Sequence, residues 1–355
     1  MTNLDIAYQR LHNQAITSPL FENPVDVVKW FGAMQAQDYL GAMWAIGLRM
    51  SNAIEAEIEQ AIADGEIVRT HPMRDTWHFV AAADIRWLLA LLAPRKIAGS
   101  VPRYRQLELD ETIFARSNAA IMQALQGGKQ FTREALAAVL EQAAIATADL
   151  RLTYLLIRAQ LDGVICSGPR RGKQFTFALL DEVVPVSRTF PRDDALAELT
   201  CRYFTSHGPA TAQDFAWWSG LTITDVKAGL EMVKPHIVQE VINGQPYWLA
   251  PSLPSAKIAE PSVYLLPSYD EYSVAYKDRS AILDAAYAVQ TGNGIFNPII
   301  VTNGRIIGTW KRTFKRDVVV IETALFHPLN ETETHALTST IERYGRFIGK
   351  PVILL

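Results

Sequence analysis

Gln35-Ala36-Gln37-Asp38 puts two neutral amides and a carboxylate into four residues of an otherwise apolar run, GAMQAQDYLGAMWAIGLR at 32–49. An amide donates and accepts at once and does not titrate, so two of them can hold and polarise a water without taking its proton. A carboxylate is the usual base, and Asp38 beside the pair is a secondary catalytic candidate. On a helix, positions 35 and 37 point about 200° apart, whereas on an extended segment they share a face and Asp38 diverges from it. The helix that opens near Pro24 is expected to finish around this motif, with Gly41 close behind, so both amides can face one cleft. The bland reading of the same residues is that the glutamines cap the helix end or bridge two modules.

Other familiar chemistry is missing. There is no GxxxxGK[ST] phosphate loop, and TGNGIF at 291–296 reads as a turn and not as a dinucleotide fingerprint. The 7 histidines show no HExxH or other ligand spacing, so no metal and no cofactor are expected. No GxSxG is present, and Cys166 and Cys201 form neither a CxxC nor a disulfide framework, which fits a reducing cytoplasm. The polar N-terminus resembles no signal peptide, and WLLALLA at 87–93 is far too short to span a bilayer. The expected location is therefore cytoplasmic, with the chain at the nucleoid when DNA-bound, and no membrane partner.

The formal net charge is −3, so any affinity for nucleic acid has to come from local patches. Arg170, Arg171 and Lys173 form one such patch. Arg95, Lys96, Arg103 and Arg105 form a second, and Lys311, Arg312, Lys315 and Arg316 beside Trp310 a third. Each is either a solvated loop or part of a surface that tracks phosphates. On IVRTHPMRDTWHFV at 67–80, Arg74 is the expected DNA contact, with His71 and His78 as further polar groups able to reach a duplex. Trp77 and Phe79 are expected to pack the hairpin on its own helices, and Trp310 to lie in a core. Asp270, Glu271, Lys277 and Arg279 are read as a salt-bridge network tying domains together, ahead of any catalytic carboxylate.

These residues must be positioned by a chain of 355 residues, 49% hydrophobic and 20% charged, long enough for several domains. A repeated order of elements organises it. Helices at about 4–17, at PVDVVKWFGAMQ and at AIEAEIEQAIADGE precede a hairpin, IVRTHPMRDTWHFVAAA. A linking helix follows in DIRWLLALLAPRKIAGS, with Asp84 as its N-cap. The order returns in AAIMQALQGGK, TREALAAVLEQA (capped by Thr132) and DLRLTYLLIRAQLDG before the hairpin VICSGPRRGKQFTFALL. It returns again from 193, ending in strands around an Asn243-Gly244 turn. Three helices and a hairpin make a winged helix.

After a Pro/Ser-rich linker, PSLPSAKIAEPS, the chain is β-rich, with an Asn303-Gly304 turn and one helix before the final PVILL. The expected class is α+β: three tandem winged-helix modules followed by a small sheet or partial barrel. The expected boundaries are 1–100, 101–190, 191–252 and 253–355.

Winged helices usually read DNA through their third helix. Here the first such helix carries Glu55, Glu57, Glu59, Asp64 and Glu66 and no basic residue, so phosphates would repel it. The second offers Arg151 and Arg158 among leucines, and the third only Lys227 and Lys234. None clusters the Arg, Asn and Gln that base-edge readout needs. The modules read as a scaffold, with a non-catalytic DNA-binding protein (a regulator or lesion sensor) as the alternative to an enzyme.

MQAQDYLGAMWAIGLR, VRTHPMRDTWHFVAAADIRWLLALLAPR, YDEYSVAYKDR and GRIIGTWKR resemble the AlkZ/YcaQ-type winged-helix DNA glycosylases of bacteria, and the likeness covers nearly the whole chain. That family carries a Gln-apolar-Gln catalytic motif, which maps onto Gln35 and Gln37. A sister branch carries Gln-x-Asp, so the glutamine at 37 sets this chain on the AlkZ side. The resemblance implies metal-independent excision of N-alkylated purines from double-stranded DNA by a monomer, including unhooking of interstrand crosslinks formed by N7 adducts.

Overall fold

The computed structural model describes residues 2–184, 189–251, 262–291 and 297–355. Most of the expected Pro/Ser-rich linker and of TGNGIF lies outside them. Along the chain, α1 (Asn3–Asn13), α2 (Pro24–Phe31), a two-residue extended piece β1 (Met34–Gln35), α3 (Tyr39–Gly47) and α4 (Glu55–Ala63) lead to the hairpin β2 (Ile67–Thr70) and β3 (His78–Ala81). The long α5 (Ile85–Gln106) follows. Next come α6 (Glu111–Leu125), β4 (Phe131–Thr132), α7 (Arg133–Gln142), α8 (Arg151–Leu161), the hairpin β5 (Ile165–Arg171) and β6 (Gln174–Leu179), and a single turn, α9 (Leu180–Val183). Then α10 (Arg192–His207), α11 (Ala212–Ser219) and α12 (Ile223–Val233) precede β7 (Val238–Ile242) and β8 (Gln245–Leu249). The last stretch holds β9 (Val263–Leu266), α13 (Glu271–Val274), β10 (Ile299–Thr302), β11 (Arg305–Phe314), β12 (Val319–Leu325), α14 (Glu331–Ile348) and β13 (Val352–Leu354). The class is α+β, and among the described residues helices followed by an antiparallel hairpin occur three times.

Local chemistry explains most of these elements. Thr132 caps α7 through Ala135 N–H at 3.3 Å. Both Asn-Gly turns have two successive positive φ angles, 52° and 77° at Asn243-Gly244 and 48° and 78° at Asn303-Gly304, as a two-residue hairpin connection requires. Two expectations shift. Asp84 precedes α5 but makes no side-chain cap, and its carboxylate instead accepts the Trp87 indole N–H at 2.9 Å. The linking helix also runs on to Gln106, through Pro94 and Pro102.

The chain forms two compact units, neither a single stretch of sequence. One comprises Met1–Glu59, Ala197–Trp218 and Thr222–Leu355; the other comprises Gln60–Leu196 and Ser219–Leu221. In the first, a five-stranded sheet in the order β13-β12-β11-β10-β9 is antiparallel except at β12–β13. Trp44 of α3 packs edge-on against Tyr344 of α14, ring centroids 5.1 Å apart, and donates its indole N–H to Leu265 O at 2.8 Å. Trp310 is buried as expected, its indole N–H on Leu266 O at 2.8 Å. The second unit is built around Tyr104, Phe114, Ile121, Leu136, Leu155 and Phe177, contributed by α5–α8 and β6. Among the described residues, no helix is long and apolar enough to cross a membrane.

Candidate active site

The Gln35-Ala36-Gln37-Asp38 motif occupies a short crossing between two helices, extended at Gln35 and bent at Gln37-Asp38. Asn23 caps α2, accepting Val25 N–H at 2.8 Å, and Pro24 occupies its first turn. The helix stops at Phe31, four residues before Gln35, because Gly32 takes φ +79°, a conformation that favours glycine. The sequence pattern ended this helix around the start of the motif, near Gln35; Gly32 is what ends it sooner. Met34 and Gln35 are extended, and α3 begins at Tyr39. Gln37 is exposed, whereas Gln35 is only 7% exposed, so the two amides do not share one solvent-filled cleft equally.

Asp38 is committed to structure on two sides. Its Oδ1 accepts Gly41 N–H at 3.1 Å and caps α3, and the Arg312 guanidinium meets its Oδ1 and Oδ2 at 3.2 and 2.9 Å. Gly41 makes room for this: a Cβ there would lie 2.5 Å from Asp38 Oδ2 and 3.1 Å from Pro267 Cβ. Arg312 and Lys311 are neighbours on β11 and so face opposite sides of the sheet. Arg312 turns with Trp310 toward the interior and Asp38, while the exposed Lys311 sits 3.5 Å from Glu322, its cross-strand partner.

Beneath the crossing lies a buried polar network that the sequence reading placed elsewhere. The Gln35 backbone N–H donates to Glu271 Oε1 at 2.7 Å. Glu271 Oε2 accepts the Trp218 indole N–H at 2.8 Å and lies 3.4 Å from His207 Nε2. Next to Glu271, Asp270 caps α13 through Tyr272 N–H and receives both terminal nitrogens of Arg49 at 2.9 Å. Arg49 also donates to Gln14 Oε1 at 2.9 Å, and Gln14 to the Tyr276 hydroxyl at 3.0 Å. Burial holds the His207 imidazole below its ordinary pKa, with the Glu271 carboxylate opposing.

Of the expected network of Asp270, Glu271, Lys277 and Arg279, the structure gives the following partners. The acids meet Arg49, Gln35, Trp218 and His207, while Arg279 Nε donates to Ser273 O at 2.8 Å and the Lys277 backbone to Asp214 at 2.8 Å. The signal available in sequence was Arg49, a cation inside the apolar run that also holds the glutamines.

The remaining candidates lie on the second unit's hairpins. His71 is buried against Gln160 Oε1 at 3.1 Å, and burial lowers its pKa to about 4. His78 is fully buried, with Nδ1 on Thr76 O at 2.9 Å. Neither reaches outward as expected. Trp77 lies tilted against His71 (3.9 Å between centroids) and packs against Phe177 of β6, not on the helices of its own module as expected, while Phe79 is buried. Arg74 donates to His78 Nε2 at 3.3 Å and lines a cavity of about 430 Å³ with Asp75, Arg95, Lys96 and Gly220. Lys96 pairs with Asp75, and Arg95 Nε donates to Gly220 O at 2.6 Å. At the β5–β6 tip, Arg171 and Lys173 are exposed around Gly172, and the half-buried Arg170 lies 6.0 Å from the Phe175 ring.

Comparison with known proteins gives a consistent picture. Residues 28–347 match the family described as DNA glycosylase AlkZ-like. An interstrand DNA cross-link repair glycosylase of Streptomyces sahachiroi is 24% identical over 343 residues, 85% of each chain. The solved structure of Streptomyces sahachiroi DNA glycosylase AlkZ shares the fold over 100% of both chains, with a TM-score of 0.78 at 20% identity.

Proposed function

Because this chain belongs to the AlkZ-like family of DNA glycosylases, we propose that it hydrolyses the N-glycosidic bond of N7- and N3-alkylated purines in double-stranded DNA, with Gln35 and Gln37 as the catalytic amides. The observation that carries the reading is the short crossing at 34–38, extended at Met34–Gln35 and bent at Gln37-Asp38, which leaves Gln37 exposed and anchors Gln35 through its backbone.

The chemistry suits amides. An N7-alkylated purine is cationic, so it departs with the electron pair of the C1′–N9 bond and becomes neutral without a strong acid. Oxocarbenium character builds on the sugar, and a water adds to C1′ while its proton passes to solvent. Amide dipoles held toward that water and sugar stabilise the transition state more than the ground state. Asp38, already paired with Arg312, serves here as a helix cap and an anchor.

We read the three helix-and-hairpin runs as winged helices that form a scaffold for duplex DNA, acting as a monomer in the cytoplasm. Arg74, with Arg95 and Lys96 around the cavity, together with Arg170, Arg171 and Lys173, supplies phosphate contacts, and Lys311 does so from the outer face of β11. Arg312 contributes only if it leaves Asp38. Unhooking of interstrand crosslinks is included in the proposed activity, since an adduct tethered to both strands can be attacked in an open site without swinging out of the helix.

The test is incubation with a duplex carrying one N7-methylguanine, followed by alkali. Strand scission at the lesion is expected; intact strands under enzyme excess would defeat the assignment.

A further inference from the structure

Gln35 lies on a stretch where the chain leaves one helix and has not begun the next, and its N–H is buried. A buried N–H demands an acceptor. The acceptor is a carboxylate from far along the chain, Glu271 Oε1, at 2.7 Å. We propose that Glu271 is a positioning residue for the reaction: its buried carboxylate holds the Gln35 backbone, and through it the course of the Gln35–Gln37 crossing, without touching substrate. The inference rests on the catalytic reading of that crossing.

Three observations support it. Glu271 is 1% exposed and both its oxygens are engaged, Oε1 by Gln35 and Oε2 by the Trp218 indole, so it is poorly placed to take a proton from a water at the site. Its own position is rigid, since Asp270 beside it caps α13 and is gripped by two nitrogens of Arg49. The grip also closes a ring. From Gln35 the chain passes through Asp38 and α3 to Arg49, crosses to Asp270, and returns from Glu271 to Gln35. At the other end of α3, Arg312 clamps Asp38. The crossing is therefore tied before the helix, at its cap and after it. A general-base role for Glu271 would instead need an open path from an oxygen to the site.

The experiment uses the full chain and three readouts: single-turnover release of N7-methylguanine from a duplex, affinity for that duplex, and amide exchange of the peptide covering 32–38. Glu271→Ala should slow release by about 10- to 100-fold, leave duplex affinity within about twofold, and speed exchange at 32–38 by about tenfold or more with little change elsewhere. Glu271→Gln, whose amide oxygen can still accept the Gln35 N–H although its amide nitrogen no longer accepts the Trp218 indole N–H, should be faster than the alanine variant, with exchange at 32–38 between that of alanine and wild type. In a Gln35→Ala/Gln37→Ala background, Glu271→Ala should slow release little further, because both amides it positions are already gone.

If Glu271→Ala does not fold, Trp218→Phe takes its place. Removing the donor that fixes Oε2 should speed exchange at 32–38 several-fold, and no change there would overturn the proposal. So would a Glu271→Gln protein as slow as the alanine variant with exchange at 32–38 unchanged, the mark of a proton-transferring carboxylate, or a full loss persisting on top of Gln35→Ala/Gln37→Ala. A wild type that releases no base would defeat the glycosylase reading alone, and the exchange measurements would still decide the role of Glu271.

Discussion

At the scale of single residues, two neighbours of similar polarity play different parts. Gln37 is exposed; if, as proposed, it is the amide that meets the substrate water, Gln37→Ala should cut single-turnover excision by on the order of 10²-fold, roughly 3 kcal/mol of transition-state stabilisation. Its duplex affinity and melting temperature should hardly move. Gln37→Glu keeps the shape but loses the amide donor. If the water is held through that donor, Gln37→Glu will be as slow as alanine; a rate near wild type would show that acceptance alone suffices.

Asp38 makes a sharp contrast with Gln37. Asp38→Asn can still cap α3 but loses the charge facing Arg312, so the cap term of about 1 kcal/mol should separate it in stability from Asp38→Ala. Excision should follow that order too. A folded Asp38→Asn protein with no excision at all would return Asp38 to the role of base. The pair of glutamines was legible from residue type alone. Which of the two is buried was not, because Gln35 is met by residues far along the chain, among them Glu271, 236 residues away.

At the scale of elements, hairpin turns and caps were the most legible features, since Asn243-Gly244, Asn303-Gly304 and Thr132 each act through their own backbone neighbourhood. The helix α3 was not. Every residue of AMWAIG is buried, so the segment has no polar face and no period for a sequence reading to follow. The basic patch on β11 looked like one unit in sequence, but strand alternation divides it, sending Arg312 to Asp38 and leaving Lys311 exposed.

That division makes a prediction about elements. Arg171→Ala at the β5–β6 tip and Lys311→Ala on β11 should each weaken binding to every duplex alike. If each holds one phosphate, as proposed, each should reduce the magnitude of the log–log salt slope by about one. Unchanged affinity and slope in both variants would remove these elements from the DNA surface, and an effect confined to particular sequences would point to base readout.

At the scale of the whole molecule, the first unit gathers segments that no local pattern connects: the Arg49–Asp270 pair joins positions 221 residues apart. Each unit also contains a histidine held neutral by burial, His207 in the first and His71 in the second, and this should set the response to acid. His71 faces Gln160, with Arg69, Lys96 and Asp75 around it; His207 faces Ser206, Glu271, Tyr203, Trp218 and Arg49. Both pKa values are lowered from 6.5, chiefly by desolvation, that of His71 to about 4. Below pH 6.5 the unfolded chain takes up protons that the folded one refuses, so stability is fully present above that pH and declines as the pH falls toward 4. For His71 alone the loss is on the order of 3 kcal/mol across this window. Carboxylates add their own acid sensitivity, so the comparison that isolates the imidazole is with His71→Gln, a neutral side chain able to keep a hydrogen bond with Gln160. Urea unfolding at pH 7.5 and pH 4.5 should show a smaller drop for the variant than for the wild type. Equal drops in the two proteins would mean that His71 becomes charged in the folded state as readily as in the unfolded one, and that burial against Gln160 does not govern its titration.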